Sequence, residues 1–228
     1  MWLPNCPLGR VAPKYMPLGR RGDEMSTLAS TTFVPRRALL VLAVLPLLPA
    51  CDGHGAHTGF QSIDVTGADW GRDFRLFDAE GRAVTLADFR GRCVMLFFGF
   101  TQCPDVCPTA LARAADVMQR LGPLAQRLQV IFVTVDPERD TAAVLGEYPR
   151  AFHPSFIGLR ADLATTEATA REFKVFYRKV PTGSSYTMDH TTTSYVFDPR
   201  GRLRLAVRHE QDAAGVAADI ERLLKDNP

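Results

Sequence analysis

The sequence predicts an α/β fold, a central mixed sheet with helices on both faces. Three observations lead there. Residues 94–100 and 130–135 are short, nearly unbroken apolar runs, the pattern of strands covered on both sides. Helix-like segments follow each run, and strand-like and helix-like stretches go on alternating toward the C-terminus. A hairpin-like segment opens the folded part, and a hairpin followed by a helix closes it.

Taken in order, residues 1–24 hold four prolines and no periodicity, and show no sign of a fold. From Met25 a conventional leader follows: Ser/Thr-rich residues, then Arg36-Arg37, then the apolar stretch 38–50. A positive flank, a short apolar core and a small residue before Cys51 make a secretory signal, so translation is expected to start at Met25. The apolar stretch is 13 residues long and contains Pro46 and Pro49, short of the ~20 residues a membrane span needs. Leu48-Pro49-Ala50-Cys51 is similar to the bacterial lipobox, which would make Cys51 the lipidated first residue of the mature chain. An ordinary cleaved signal or an unprocessed anchor is the plain alternative. Asp52 resembles the inner-membrane retention signal of Gram-negative lipoproteins, while Arg36-Arg37 matches a twin-arginine signal poorly. The chain thus divides into an extension with signal at 1–50, a flexible tether at 51–70 and a folded domain at 71–228.

Within the domain, residues 74–77 and 83–85 flank a turn at 78–81 and read as a hairpin. Residues 86–91 lead into the first buried strand. Leu111, Ala115, Met118 and Leu121 recur at helical spacing over 109–121, which makes Met118 core before it is a ligand. After the second buried strand come a helix over 141–152 interrupted near Pro149, a short strand at 156–159 and a helix over 162–173. The polar stretch 176–189, with Gly183, Ser184 and Ser185, reads as a loop. Strands at 193–197 and 203–207 around a turn at 198–201 make the last hairpin, and 213–224 the last helix.

The formal charge of +2 is misleading. Six Lys/Arg and two Asp/Glu fall in residues 1–50, which leaves 21 basic and 23 acidic residues for the remainder. A nearly neutral domain without a basic stripe gives no electrostatic case for nucleic acid. Of five cysteines, Cys6 and Cys51 lie in or beside the leader, and Cys93 is most simply a small core residue. Cys103 and Cys107 remain as the working pair.

The first buried strand stops at Thr101 and delivers both cysteines into a turn. Pro108 suits the first position of a helix, and a residue before proline is pushed out of the helical region, so Cys107 is expected at the helix cap. Both thiols then lie beside a helix N-terminus, whose partial positive charge favours thiolate. The carboxyl end of a buried strand is also where open α/β sheets place ligands. A structural disulfide, or two inert buried thiols, is the plain alternative. With cysteines after the first parallel strand, the thioredoxin-like fold is the natural candidate within the class.

Thioredoxins separate their cysteines by two residues; three stand between Cys103 and Cys107. The wider pair closes a disulfide only in an irregular turn, because i and i+4 positions of a regular helix lie about 5–6 Å apart. As thiolates the two make a soft clamp for a closed-shell ion such as Cu(I), and an imidazole would complete a trigonal site. His54 and His57 lie in the tether, His153 precedes Pro154 in a surface turn, and His209 ends a strand of the far hairpin. His190 sits in a polar segment before a strand that, in a thioredoxin-like sheet, runs beside the cysteine turn. A lone histidine is ordinarily a surface or satisfied one. Met188 is a weaker candidate, with packing as its default.

Residues 99–108 (GFTQCPDVCP), residues 134–141 (TVDPERDT) and Asp189-His190 together resemble the Sco/SenC family of copper chaperones, over approximately residues 70–225. The resemblance implies that Cys103, Cys107 and His190 bind copper, as Cu(I) and with Cu(II) left open. It implies a role in building the dinuclear copper centre of cytochrome c oxidase subunit II, with a periplasmic copper donor or thiol reductant as a further partner. Asp136 falls in a matching block and is not read as a ligand. Family members are often held by a transmembrane helix; the lipobox-like leader here points instead to a lipid anchor in the bacterial inner membrane, facing the periplasm. Oxidising Cys103 and Cys107 to a disulfide would remove both soft ligands, which couples metal loading to redox state. Two functions therefore stay open: a metallochaperone, or a thiol-disulfide oxidoreductase that keeps the oxidase cysteines reduced. A peroxiredoxin fits poorly, because Pro104 stands where its threonine is expected.

Overall fold

Residues 93–99 are buried without exception, which an extended segment achieves only in the interior of a sheet covered on both faces. A computed structural model, describing residues 59–227, shows how that strand is framed. The chain runs β1 (Ile63–Asp64), β2 (Arg75–Phe77), β3 (Ala83–Thr85), a 3₁₀ turn at Leu86–Phe89, β4 (Cys93–Gly99) and α1 (Val106–Leu121). It continues through β5 (Leu128–Thr134), α2 (Ala142–Glu147), β6 (Ile157–Leu159) and α3 (Leu163–Glu172). It ends with β7 (Tyr177–Thr182), β8 (Ser185–His190), β9 (Ser194–Phe197), β10 (Leu203–Val207) and α4 (Ala213–Lys225).

The central sheet has the order β1-β10-β9-β4-β5-β6. β4, β5 and β6 are parallel, and β9 joins β4 antiparallel, so the sheet is mixed. Successive side chains of β4 point to opposite faces. Phe98 packs on Phe173 and Tyr195, while Phe97 packs on Phe132. α1 and α4 lie side by side and bury their apolar stripes, Val117 and Leu121 on one, Ile220 and Leu224 on the other. This is the architecture expected of the thioredoxin-like class.

Three expectations change. The stretch 176–189 is not a loop: β7 and β8 form a two-stranded antiparallel hairpin outside the central sheet. Its connection is two residues, with Thr182 paired to Ser185 and Gly183 at a φ of 59°, the positive value a tight hairpin turn needs at that position. Polar residues occupy both faces of β7, so the sequence lacks the apolar alternation that marks a half-buried strand. The folded part also starts before residue 71. β1 pairs with β10, Trp70 packs edge-on against Tyr195, and the buried Asp219 carboxylate accepts the backbone N–H groups of Gln61 and Ser62 at 2.8 and 2.7 Å. Cys107, finally, is not the cap of α1. Asp105 is the N-cap and Cys107 the second helical residue, leaving Pro108 third, where its missing N–H still costs nothing.

Met25, the Leu48–Cys51 motif, Asp52, His54 and His57 lie outside the described residues. Among those described, no helix is long and apolar enough to cross a membrane.

Candidate metal centre

β4 ends at Gly99, and the chain turns through Thr101 and Gln102 before entering α1. The turn is fixed from below by Asp140, a fully buried carboxylate. It accepts the Thr101 N–H at 3.1 Å and the hydroxyls of Thr101 and Thr134, each at 2.5 Å. This ties the loop after β5 to the first residue of the cysteine turn. Gly99 is required at the strand end: a Cβ there would stand 2.7 Å from Cys107 Sγ and 2.8 Å from the Phe132 ring.

The Asp105 side chain makes no capping bond to α1. Cys103 Sγ takes that place, accepting the Cys107 N–H at 3.4 Å, at the position where an N-cap acceptor normally works. A helix N-terminus favours an anion there. The Cys103 thiol is accordingly lowered to about 4: the hydrogen bond from Cys107 contributes most, burial opposes it, and His190 and the backbone N–H groups of Asp105 and Cys107 add to it. Cys107 is pushed strongly upward, first because its proton is held by Cys103 and then because it is buried. Negative charge is thus favoured on Cys103 and disfavoured on Cys107. Neither is in a disulfide. Cys93, buried within β4, is pushed up to about 12 by desolvation, which suits an inert core thiol.

His190, the last residue of β8, completes the group. Its Nδ1 lies 2.9 Å from the Thr191 carbonyl, which can only accept, so Nδ1 carries a proton and Nε2 is the nitrogen turned toward the cysteines. Nε2 stands 3.5 Å from Cys107 Sγ. Phe97 and Phe100 meet the ring edge-on at 6.0 and 5.7 Å and hold its plane. The donor atoms of Cys103, Cys107 and His190 all lie within 4.8 Å of one another. Three donors around one N/S-bound metal are separated by about 3.5–4 Å, so a shift of under about 1 Å closes the set.

The three residues read from the sequence as a metal-binding set are therefore brought together, and the other described histidines, His153 and His209, are not. His153 Nδ1 is 2.8 Å from the Ser155 hydroxyl, and His209 sits at the turn where Arg113 of α1 donates to the carbonyls of residues 208, 209 and 211. Asp136 is no ligand, since its carboxylate takes Arg139 Nε at 2.5 Å and the Tyr186 hydroxyl at 2.9 Å. Met188 is buried and lines a cleft of about 300 Å³ beside the site, with Phe100, Cys103, Pro104, Val106 and His190. Gly99 and Arg139 fall in the blocks that carry the family resemblance, but the sequence assigned no role to them or to Tyr186. The alternation of Tyr186, Met188 and His190 is a period-two signal that would have placed them on one face of a strand.

A family profile described as SCO1/SenC matches residues 64–225. The chain is 36% identical over 135 residues to an SCO2-like protein of Rickettsia felis, covering 58% of this chain and 66% of that one. It is 40% identical over 133 residues to the mitochondrial SCO2 homolog of Bos taurus, covering 57% of this chain and 50% of that one. The match therefore spans only half to just under two thirds of these relatives. Among solved structures, Bradyrhizobium japonicum ScoI with copper bound superposes with a TM-score of 0.63 at 39% identity, over 68% of this chain and 99% of that one. With the family profile covering nearly all of the described domain and the three donors in one place, the chain belongs to the SCO1/SenC family.

Proposed function

We propose that the reduced chain binds one Cu(I) between Cys103, Cys107 and His190 and delivers copper to the dinuclear copper site of cytochrome c oxidase subunit II during oxidase assembly. The observation that carries this reading is the convergence of two cysteine sulfurs and an imidazole nitrogen within 4.8 Å, at the carboxyl end of β4. Soft thiolates with one imidazole suit Cu(I), and the resulting site of net charge −1 is tolerated beside the N-terminus of α1. The copper-bound Bradyrhizobium relative and the oxidase-assembly role of Sco proteins support the same reading. The chain acts in the bacterial periplasm, held to the inner membrane by a lipid on Cys51, and is served by a copper donor or a thiol reductant there.

A second reading has one specific observation in its favour. A Cys103 thiol held low beside a free Cys107 thiol pushed upward is the arrangement of a dithiol reductant, which would keep the oxidase cysteines reduced. His190→Ala separates the two. It should weaken Cu(I) binding by about 10–100-fold, still cycle between dithiol and disulfide, and fail to restore oxidase copper loading in cells. Full competence of His190→Ala in cells, with either cysteine variant inactive, would favour the reductase.

A further inference from the structure

The hairpin that carries His190 is not hydrogen-bonded to the central sheet, yet it stands over the cysteine turn. At its base the Phe176 N–H reaches the Thr191 hydroxyl and the Thr191 N–H the Phe176 carbonyl, which closes the hairpin on itself. Apart from the His190 contact with Cys107, its polar ties to the rest of the described domain lead to one place, the 136–139 loop after β5. Arg139 Nη1 donates to the Tyr186 carbonyl at 2.7 Å, and the same guanidinium lies 3.8 Å from the centre of the Tyr186 ring. Through Nε it holds Asp136, which accepts the Tyr186 hydroxyl, and Nη1 also reaches Gln102 Oε1 at 3.1 Å, one residue before Cys103. An outer ion pair, Lys179 with Glu138, runs in parallel.

We propose that Arg139 is a positioning residue for His190: it fastens the β7–β8 hairpin to the loop after β5, so that the imidazole is held at the cysteine turn before any metal arrives. This rests on the copper-site reading above. Only a planar, forked cation makes these contacts together. It stacks on an aromatic face while donating in its own plane to a carboxylate, a carbonyl and an amide oxygen, which an ammonium does not reproduce. Tyr186 and His190 lie on the same face of β8, four residues and about 13 Å apart, so a hairpin released at Tyr186 pivots about the base where His190 sits. Asp136 in turn is buried to 1% and needs the Arg139 cation as its partner.

The test is a double-mutant cycle in Cu(I) competition titrations of the reduced protein, using Arg139→Ala, His190→Ala and both together, with Arg139→Lys and Tyr186→Phe alongside. Arg139→Ala should weaken Cu(I) about 10-fold when His190 is present and not at all when it is absent, the coupling expected of a residue acting through another. Arg139→Lys should not rescue, and Tyr186→Phe, which keeps the ring and the carbonyl, should cost less than Arg139→Ala. Amide hydrogen exchange of the metal-free protein is the second readout. Protection over residues 177–190 should fall in Arg139→Ala while β4 and β5 keep theirs. Equal weakening in both backgrounds, or unchanged exchange in the hairpin, would overturn the proposal. If the wild type bound no Cu(I), the copper reading would fail, and the exchange measurement would still decide whether Arg139 holds the hairpin.

Discussion

The Cys103 and Cys107 thiols are shifted in opposite directions, and that difference comes from position rather than residue type. Cys103 lies at the mouth of α1, where the helix N–H groups and the neighbouring thiol stabilise its charge; Cys107 lies one turn deeper, against Gly99. A thiol held at about 4 is ionised well below the pH at which an ordinary cysteine near 8.5 reacts. Alkylation of the metal-free, reduced protein should therefore fall on Cys103, at a rate already level between about pH 6 and 8. Labelling that climbs toward pH 9, or that falls first on Cys107, would reverse the assignment. These two residues and His190 were legible in the sequence because their side chains are chemically rare and stand beside strand boundaries. Arg139 was not, because its partner Tyr186 lies 47 residues away and a single arginine in a polar loop looks solvated.

At the scale of elements, β4, β5, α1 and α4 followed from apolar runs and helical periodicity, since burial on both faces or along one stripe leaves its mark in composition. β7 and β1 left none, and β8 left only the alternation of Tyr186, Met188 and His190. The hairpin stands outside the central sheet and exposes much of both strands, and β1 is a two-residue edge strand with both side chains exposed. β1 is held by what neighbours it. The Asp219 carboxylate, inside α4, accepts two backbone N–H groups from residues 61 and 62, of which Ser62 is buried. Asp219→Ala would strip both donors of their partner, so a loss of about 2 kcal/mol is expected, seen as a lowered urea midpoint. Amide exchange over residues 61–65 should rise with it. An unchanged midpoint would mean that the edge strand is held by its pairing to β10 alone.

For the whole molecule, the strand directions set where the site stands relative to the chain's entry. β4 and β10 both end at the pole that carries the cysteine turn, and β1, antiparallel to β10, begins there. The chain therefore enters the domain at the same pole as the site, three strands or about 14 Å to the side. Residues 52–58 can span at most about 25 Å, so under the proposed lipid anchor on Cys51 the site's pole would stay close to the membrane surface. Cys51→Ser should then release the protein from membranes or leave its signal uncleaved. Unchanged processing and retention in that variant would remove the lipid anchor from the account.

The proposed copper centre is three-coordinate, built from two sulfurs and one imidazole nitrogen. Its most direct test is copper K-edge X-ray absorption on the reduced protein loaded with one equivalent of Cu(I). Two sulfur scatterers and a single imidazole nitrogen are the expected first shell; a shell of sulfur alone, or of two nitrogens with one sulfur, would contradict it.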